Sequence, residues 1–366
     1  MTLPRLTIRA IRSTAVTVPL NYVLGTSAAA VREAPLLLVD LETNEGIIGR
    51  SYQFCYRPAA APAIAGFLED IGEAVRGRSI VPADLWALLT KRNTLIGVEG
   101  IVRMAMSLVD IAAWDALARE AGQPLARLLG AEPRPVRAYN SNGLGLMSTS
   151  ALADEAERLI AGGFRAVKLR LGYPTLDEDL AALHAVRGRI PGDVAIMADY
   201  NQALSLDEAM RRGRALDGER LAWIEEPIRH DDFAGCAALA EALSTPVQIG
   251  ENFSLVFDMQ KALDARACDL VMPDLERIGG VTGWQRASAL ASSAGLPMSS
   301  HLYPEVSAHL LAATPNAHWL EYVDWMNILL VEPLKIVEGM AMPSSRPGLG
   351  LEWNQEIIRK YAKYGM

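Results

Sequence analysis

Residues 194–201 read Val-Ala-Ile-Met-Ala-Asp-Tyr-Asn, a short apolar run that ends in an acidic residue. The same arrangement occurs at residues 221–227, Leu-Ala-Trp-Ile-Glu-Glu-Pro, and at residues 246–252, Pro-Val-Gln-Ile-Gly-Glu-Asn. Apolar runs of this length predict buried strands, and the stretches between them have the spacing of amphipathic helices. The three segments therefore predict a parallel α/β sheet with a carboxylate at the end of each strand.

Five further runs extend this pattern in both directions, so that eight follow one another after about residue 133. Their starts lie roughly 20 to 30 residues apart, the length that a strand, a helix and two loops need, and eight right-handed βα units close into a barrel. The five are VRAYNS at 136–141, FRAVKLRL at 164–171, CDLVMPD at 268–274, LPMSSHL at 296–302 and HWLEYVD at 318–324. The predicted fold class is an α/β, TIM-like (β/α)8 barrel.

The segments that flank the barrel predict a second unit. Residues 4 to about 56 alternate in polarity around a turn at residues 43–46, which predicts a three-stranded meander. Residues 59 to about 129 have helical spacing instead. We therefore expect an N-terminal α+β capping domain at 1–132, the barrel at 133–326, and a C-terminal segment at 327–366 that packs on the capping domain and completes it.

The composition excludes several classes of protein. The chain has 366 residues, 51% of them hydrophobic, which is enough for a large core, and its net charge of -8 argues against a nucleic-acid partner. No run has the apolar length of a signal peptide or a membrane span, so we predict a cytoplasmic protein with no membrane partner. The three cysteines, Cys55, Cys236 and Cys268, are widely spaced and odd in number, which favours reduced thiols over disulfides or a zinc site.

Ionisable residues end seven of the eight predicted strands. A single charge after a strand is usually a solvated loop residue, but the C-terminal ends of barrel strands meet at one mouth, where barrel enzymes build their active sites. The residues are Lys168 and Arg170, Asp199, Glu225 and Glu226, Glu251, Asp274, His301, and Glu321. This pattern predicts a catalytic site.

Three of these residues, Asp199, Glu225 and Glu251, end successive strands. Because neighbouring strands lie about 4.8 Å apart, three carboxylates would converge and repel one another unless a cation lay between them. A site made only of oxygen ligands favours Mg²⁺, with Mn²⁺ as a substitute. Glu226 follows Glu225 directly and should point to the opposite face, so we expect it to support the metal ligands rather than join them.

The remaining residues predict proton chemistry beside this cation. Asp274 and His301 end adjacent strands, where the carboxylate would fix the tautomer of the ring and raise its basicity as a general base requires. Lys168 and Arg170 lie two residues apart on one strand, so both should face the interior, one to hold a substrate carboxylate and the other to face its α-carbon. A metal and cations around a carboxylate suit an enediolate, which carries one more negative charge than its parent acid.

At these residues the chain resembles the mandelate racemase and muconate lactonizing enzyme family of the enolase superfamily, over essentially its whole length. The matching stretches are 164–180, 197–204, 223–227, 246–252, 272–284 and 286–321. The resemblance implies a barrel enzyme that acts on a small carboxylate, and a symmetric homo-oligomer such as an octamer. For the residues it implies Mg²⁺ ligands at Asp199, Glu225 and Glu251, a dyad of Asp274 and His301, carboxylate contacts from Lys168 and from Glu321 as a proton-sharing acid, and substrate support from Asn201 and Ser141.

One departure from the family pattern keeps the reaction open. The family racemase has Lys-x-Lys on the second strand, and its second Lys is the base for the (S) enantiomer while the His serves the (R) enantiomer. Here that position is Arg170, and arginine, with a pKa above about 12, is rarely neutral at pH 7. A dehydratase needs only one base, since His301 could take the α-proton and return it to the departing β-hydroxyl.

Other positions favour a racemase-like enzyme acting on a 2-hydroxy acid with an apolar or aryl side chain. The positions that resemble the family's substrate lid are mostly apolar, and a polyol would need polar partners there. They are Leu24, Ala28, Val31, Phe54, Tyr56, Leu302 and Val323. The racemase, an isomerase, is thus the first prediction and an acid-sugar dehydratase, a hydro-lyase, the second. A non-catalytic protein that binds a metal or a sugar acid is a third, disfavoured by the intact His301 and Asp274 pair.

Overall fold

The first three strands form an antiparallel sheet in the order β1-β2-β3, as the sequence predicted. The structure, a computed structural model, describes residues 6–27 and 30–362. The strands are β1 (Ile8–Gly25), β2 (Ala30–Thr43) and β3 (Ile48–Phe54). The turn between β2 and β3 is closed by Thr43, whose side chain hydrogen-bonds to the backbone of Ile47, and Gly46 adopts the positive φ of 87° that the turn requires.

Four helices follow this sheet, and the first and third of them pack on it. They are α1 (Ala60–Val75), α2 (Pro82–Arg92), α3 (Gly100–Glu120) and α4 (Leu125–Leu128). Helix α3 packs so closely on β3 that a Cβ at Gly49 would lie 1.9 Å from the carbonyl oxygen of Ala112. The alternate side chains Leu37, Val39 and Leu41 of β2 are buried in the same core. The alternate apolar side chains of the strands and the apolar side chains of the helices therefore pack in one core.

Parallel strands form the barrel and bring their C-terminal ends to one mouth. They are β4 (Val136–Asn140), β5 (Ala166–Arg170), β6 (Ala195–Asp199), β7 (Ile224–Glu225), β8 (Val247–Ile249), β9 (Leu270–Val271) and β10 (Leu320–Tyr322). Neighbours pair in sequence order from β4 to β9, and β10 pairs with β4. The register sets Arg170 beside Asp199 and Asp199 beside Glu225.

The seventh predicted strand, residues 296–302, forms isolated bridges rather than a continuous ladder. Met298 bridges to Val271 on one side and to Ala317 on the other, and His301 bridges to Asp274, so the segment still fills the gap between β9 and β10. The extended run then ends because Leu302 adopts a φ of 50°. The barrel therefore closes although this segment forms only isolated bridges.

Helices alternate with the barrel strands. They are α5 (Thr149–Ile160), α6 (Leu176–Arg189), α7 (Leu206–Leu216), α8 (Phe233–Ala242), α9 (Leu255–Asp264), α10 (Leu275–Ile278), α11 (Gly280–Ala294) and α12 (Pro304–Ala312). Several begin at side chains that accept from the first turn, and Thr175 and Glu178 form a complete capping box at α6.

The last segment contacts both parts of the chain. It contains β11 (Lys335–Val337), β12 (Met340–Met342) and α13 (Gln355–Tyr361). Strand β12 pairs with β4, whereas Nε1 of Trp353 donates to Asp40 of β2 over 2.8 Å and Ala362 bridges to Val16 of β1. We propose that the chain divides at residues 132 and 326, with this segment joining the capping domain to the barrel.

All three cysteines are buried free thiols, as the sequence predicted. Among the residues that the structure describes, none of the helices combines the length and the apolar character needed to cross a membrane.

Candidate active site

Three acidic side chains converge at the mouth of the barrel. Asp199 ends β6, Glu225 ends β7 and Glu251 follows β8, and one carboxylate oxygen from each lies within 4.8 Å of the others. The turn that presents Glu251 needs Gly250, which has a φ of 138° and whose added Cβ would lie 2.9 Å from the backbone nitrogen of Met272. The set of oxygens is one that a divalent cation can bridge.

Lys168 lies among these carboxylates. Its Nζ is 2.7 Å from Oε1 of Glu225, 2.8 Å from Oε1 of Glu321 and 3.2 Å from Oδ2 of Asp199. Burial alone would lower the pKa of Lys168, but Glu225 and Glu321 raise it well above its ordinary value. The side chain is therefore a buried ammonium ion that compensates part of the negative charge.

The remaining charge of the cluster is not fully compensated. Burial, together with the neighbouring carboxylates of Asp199, Glu321 and Glu251, raises the pKa of Glu225 although Lys168 lowers it. The amide of Asn201 donates to Asp199 over 3.2 Å, and its buried Oδ1 has no hydrogen-bond partner among the described residues. Excess negative charge and an unpaired carbonyl oxygen beside it fit a hard cation such as Mg²⁺.

Glu226, directly after Glu225, is not one of the three converging carboxylates. Its two carboxylate oxygens accept from Nδ2 of Asn252 over 2.9 and 3.0 Å, and the same nitrogen lies 3.3 Å from Oε1 of Glu251. Its φ of 37° is uncommon outside glycine and turns the chain sharply after β7. Glu226 is thus linked to Glu251 through Asn252.

His301 and Asp274 form a close pair beside the carboxylates. Nδ1 of His301 lies 2.7 Å from Oδ2 of Asp274, whose other oxygen accepts from the backbone of Glu276 over 2.8 Å at the start of α10. Nε2 of His301 faces Glu251 at 3.4 Å. Burial alone would lower the pKa of His301, but Glu251, Glu321 and Asp274 raise it to about 9. Neutralising Glu251 with a cation would remove the largest of these upward contributions.

Glu321 joins the lysine to the imidazole. Its Oε1 accepts from Ser141 over 2.7 Å and lies beside Lys168, while its Oε2 accepts from the backbone of Leu302 over 2.8 Å and lies 3.9 Å from Nε2 of His301. Burial would raise the pKa of Glu321, but Lys168 and His301 lower it well below its ordinary value. In this arrangement Glu321 is ionised, so the proton-sharing role that the resemblance implies would require a substrate carboxylate to change its partners.

Arg170 is turned toward the first barrel loop. Its Nη1 donates to the carbonyl oxygens of Ser141 and Gly143 over 2.9 and 3.0 Å, and its Nη2 donates to the Ser141 hydroxyl over 2.9 Å. The side chain is buried, and within the described part of the chain it forms no ion pair with a carboxylate. Arg170 therefore holds the loop that carries Ser141.

The tip of the capping sheet covers this mouth. Leu24 pairs with Val31 near the end of the β1 and β2 hairpin, and the hydroxyl of Ser27 donates to the carbonyl of Tyr200 over 3.3 Å. Ala28, which the sequence placed in the lid, lies outside the described residues. The hairpin thus reaches the C-terminal ends of the barrel strands.

The apolar lid positions pack mainly on one another. The ring of Phe54 lies 4.5 Å from that of Tyr56 and 4.6 Å from that of Trp325, measured between centroids. Phe54, Leu302, Val323 and Trp325 line a cavity of only about 10 Å³, roughly the space of one water. These side chains therefore pack on one another with little space between them.

Arg277 lies at the mouth but was not predicted from the sequence. Arg277 belongs to α10, after the strand end at Asp274, yet its Nη1 donates to the carbonyl oxygen of Glu251 over 2.8 Å and its guanidinium carbon lies 5.1 Å from the centroid of the Tyr56 ring. Arg277 lies on a helix of four residues, and the spacing of the charged residues at strand ends does not predict that a side chain from this helix reaches the mouth.

Comparison with known proteins places the chain in a family. The sequence matches the family model described as mandelate racemase / muconate lactonizing enzyme, N-terminal domain, at residues 8–130, and the one described as enolase C-terminal domain-like at residues 151–357. The chain belongs to the mandelate racemase and muconate lactonizing enzyme family. It is accordingly an enzyme of the enolase superfamily, as the resemblance predicted.

Members of this family that are similar to the chain differ in what they bind. An L-talarate/galactarate dehydratase of Salmonella typhimurium is 32% identical over 89% of this chain and 82% of its own length. The structure of an enolase from alpha proteobacterium BAL199 with bound magnesium is 42% identical, with a TM-score of 0.96 over 98% of this chain and all of that one. An enolase from Bradyrhizobium, in complex with magnesium and mandelic acid, is 37% identical, with a TM-score of 0.94 over 99% of this chain and all of that one.

Proposed function

We propose that the chain is a Mg²⁺-dependent lyase that dehydrates a 2,3-dihydroxy carboxylate, with His301 as its only base. The observation that carries this proposal is the position of Arg170, whose guanidinium donates to the carbonyl oxygens of Ser141 and Gly143 instead of facing a substrate as a neutral base would. Racemisation needs a second base on the opposite face of the α-carbon, whereas elimination needs one group that removes a proton and gives it back.

Asp199, Glu225 and Glu251 would hold the cation, because their oxygens converge and their charge is only partly compensated. When bound, Mg²⁺ polarises the substrate carboxylate and stabilises the charge that develops on it, and Mn²⁺ would be a substitute. The ammonium of Lys168 would bind the same carboxylate from the other side, since it already lies between Glu225 and Glu321.

The dyad would perform both proton transfers. Nε2 of His301 removes the α-proton, while Asp274 keeps the Nδ1 proton in place and stabilises the imidazolium that forms. The same imidazolium then protonates the β-hydroxyl, which leaves as water as the C–O bond breaks and a C=C bond forms. The resulting enol becomes a 2-oxo acid by taking a proton at the β-carbon and releasing the proton of its 2-hydroxyl, so no oxidant or reductant is needed.

The similarity to an L-talarate/galactarate dehydratase supports a sugar acid as the substrate. Polyhydroxy acids are therefore the proposed substrates.

A racemase acting on 2-hydroxy acids, which the sequence alone favoured, is the second candidate. The similar Bradyrhizobium structure contains mandelic acid, a 2-hydroxy acid with an aryl group. This candidate requires Lys168 or a displaced Arg170 to serve as the second base.

The two candidates make different products. We would incubate the Mg²⁺-loaded protein with a panel of aldonic and aldaric acids and with both enantiomers of mandelate, and assay 2-oxo acid by semicarbazone absorbance and configuration by chiral chromatography. We expect 2-oxo acid from at least one sugar acid and no inversion of mandelate. Inversion of mandelate without 2-oxo acid from any sugar acid would refute the lyase and favour the racemase.

We also propose a symmetric homo-oligomer, with an octamer as the assembly that the family resemblance implies. Large apolar side chains between α2 and α3 and at the start of α9 are exposed, with Leu95, Ile96 and Phe257 at 103%, 65% and 69% of full exposure. Such side chains are candidates for a subunit interface. Sedimentation velocity should give one species larger than the 39.6 kDa chain, and a monomer at micromolar concentration would contradict the proposal.

A further inference from the structure

The lid has one polar corner in its otherwise apolar lining. Tyr56, at the end of the capping sheet, is 37% exposed, and the Arg277 guanidinium lies against its ring with the guanidinium carbon 5.1 Å from the centroid. Arg277 also touches the catalytic cluster, because its Nη1 lies 3.8 Å from Oε1 of Glu251. The other oxygen of Glu251 is 3.4 Å from Nε2 of His301, so the guanidinium and the base flank the same carboxylate.

The hydrogen bonds of Arg277 leave one edge of the guanidinium available. Its Nη1 donates to the carbonyl oxygen of Glu251 over 2.8 Å and to Oδ1 of Asn252 over 2.7 Å. Its Nε and Nη2 have no partner among the described residues, and neither is a fully buried atom. These two nitrogens carry the parallel N–H groups with which arginine binds a carboxylate in bidentate fashion.

A second arginine adds positive charge at this corner. Nη1 of Arg103, in the first turn of α3, donates to the hydroxyl of Ser254, while its buried Nε has no partner. Within the described part of the chain no carboxylate forms an ion pair with Arg103. Burial and the Arg277 guanidinium lower the pKa of Arg103 while Glu99, Asp274 and Asp258 raise it, so the two guanidinium groups lie near each other.

From this arrangement we propose that Arg277 is a specificity-determining residue that binds a second carboxylate at the far end of the substrate. The inference rests on the proposed function, and it narrows the substrate class from polyhydroxy acids in general to dicarboxylic ones. The first carboxylate would lie between Lys168 and the cation, with the α-proton toward His301. The carbon chain would then lead past Glu251 to the free edge of Arg277, where Tyr56 closes over it.

The test compares acids that differ only at the far end. Galactarate and galactonate form one such pair, and glucarate with gluconate and mannarate with mannonate form two more. Binding of each acid would be measured by calorimetry to Mg²⁺-loaded His301→Asn protein, in which turnover should be slowed by about 10² to 10⁴-fold. The same background would carry Arg277→Met, Arg277→Lys, or Arg229→Met as a matched control, because Arg229 is an exposed arginine paired with Asp231.

We expect at least one dicarboxylate to bind roughly 10-fold tighter than its monocarboxylate partner. Arg277→Met should weaken that dicarboxylate by about 10- to 100-fold and its partner by less than about 3-fold, since only the far-end contact is lost. Arg277→Lys should retain part of the preference, and Arg229→Met all of it. Each variant would also be titrated with Mg²⁺ alone, to show that the Glu251 turn still holds the ion.

Two results would overturn the inference. Equal losses of affinity for both members of a pair would show that Arg277 only braces the Glu251 turn. If no pair showed a preference for the dicarboxylate, or if no dicarboxylate bound at all, Arg277 would have no second carboxylate to bind. The proposed function fails separately. If the wild-type protein makes no 2-oxo acid yet prefers dicarboxylates through Arg277, the lyase assignment is wrong and the far-end contact stands.

Discussion

The hydroxyl of Ser141 accepts a hydrogen bond from Nη2 of Arg170 over 2.9 Å. Because the same hydroxyl donates to Oε1 of Glu321 over 2.7 Å, the guanidinium orients a group that contacts the catalytic cluster. The resemblance implies a basic lysine at this position, and under the proposed function Arg170 acts on the site through Ser141 rather than as a base.

Arg170→Lys tests this relationship. The lysine cannot keep the two carbonyl contacts and the hydroxyl contact at once, so Ser141 should lose its orientation and kcat for dehydration should fall by about 10- to 100-fold. A lysine on this strand should also begin to exchange the α-proton of the other C2 epimer. Arg187→Lys is a matched control, since Arg187 also donates to loop carbonyls, those of Glu219 and Arg220, outside the described site. Equal kcat losses in both variants would contradict the account.

Metal binding should distinguish Glu251, in the carboxylate cluster, from Glu226, which is linked to it through Asn252. Glu251→Gln removes a charge from the carboxylate cluster and should raise the Kd for Mg²⁺ by about 10- to 100-fold. Glu226→Gln keeps an acceptor for Nδ2 of Asn252 and should change the Kd by less than about 3-fold. Calorimetric titration with Mg²⁺ measures both values. Comparable losses in the two variants would place Glu226 among the ligands and show that its assignment here is wrong.

Substitution of His301 should reduce turnover more than substitution of Asp274. His301→Asn removes the base while leaving Lys168 and Glu321 in place, so turnover should fall by about 10² to 10⁴-fold, with substrate affinity largely retained. Asp274→Asn keeps a partner at Nδ1 but loses its charge, and should give a smaller loss of kcat. Single-turnover rates and calorimetric binding measure the two quantities. A larger loss in Asp274→Asn than in His301→Asn would mean that the carboxylate does more than orient the ring.

Much of this architecture could be predicted from the sequence, because its signals are periodic. The alternation of β1 to β3 and the repeated apolar runs that end in charge are local patterns, and they predicted the meander and the barrel mouth. The incomplete ladder of residues 296–302 was not predictable, since it depends on the conformations of Leu302 and Tyr303, which have a φ of 50° each. Strand continuity there is decided by backbone geometry rather than by composition.

The parts of the site that sequence could not predict are those set by side-chain direction. Spacing placed Lys168 and Arg170 on one face, but only the fold shows that Lys168 joins the carboxylates while Arg170 turns to Ser141. In the same way, nothing in the sequence of α10 shows that Arg277 reaches back to Glu251. A long flexible side chain can contact any of several partners that are distant along the chain. The local sequence pattern does not determine which of them it contacts.

Acid stability should depend on His309. This side chain is buried in α12, where burial lowers its pKa to about 4 from an ordinary value of 6.5. The unfolded chain binds the proton first, so the contribution of His309 to stability is complete above pH 6.5 and is lost as the pH falls from there toward 4. His309→Gln should reduce the loss of unfolding free energy between pH 7 and pH 4.5 by on the order of 2 kcal/mol. Urea midpoints at both pH values measure this, and identical pH dependence in the two proteins would contradict it.

The central claim is that His301 is the only base, and deuterium exchange tests it most directly. The wild-type protein with Mg²⁺ would be incubated in D₂O with each C2 epimer of a substrate separately, and α-deuterium would be followed by NMR. We predict exchange or elimination for only one epimer, the one that presents its α-proton to Nε2 of His301. Exchange of both epimers at comparable rates would show that a second base reaches the opposite face, and would contradict the account.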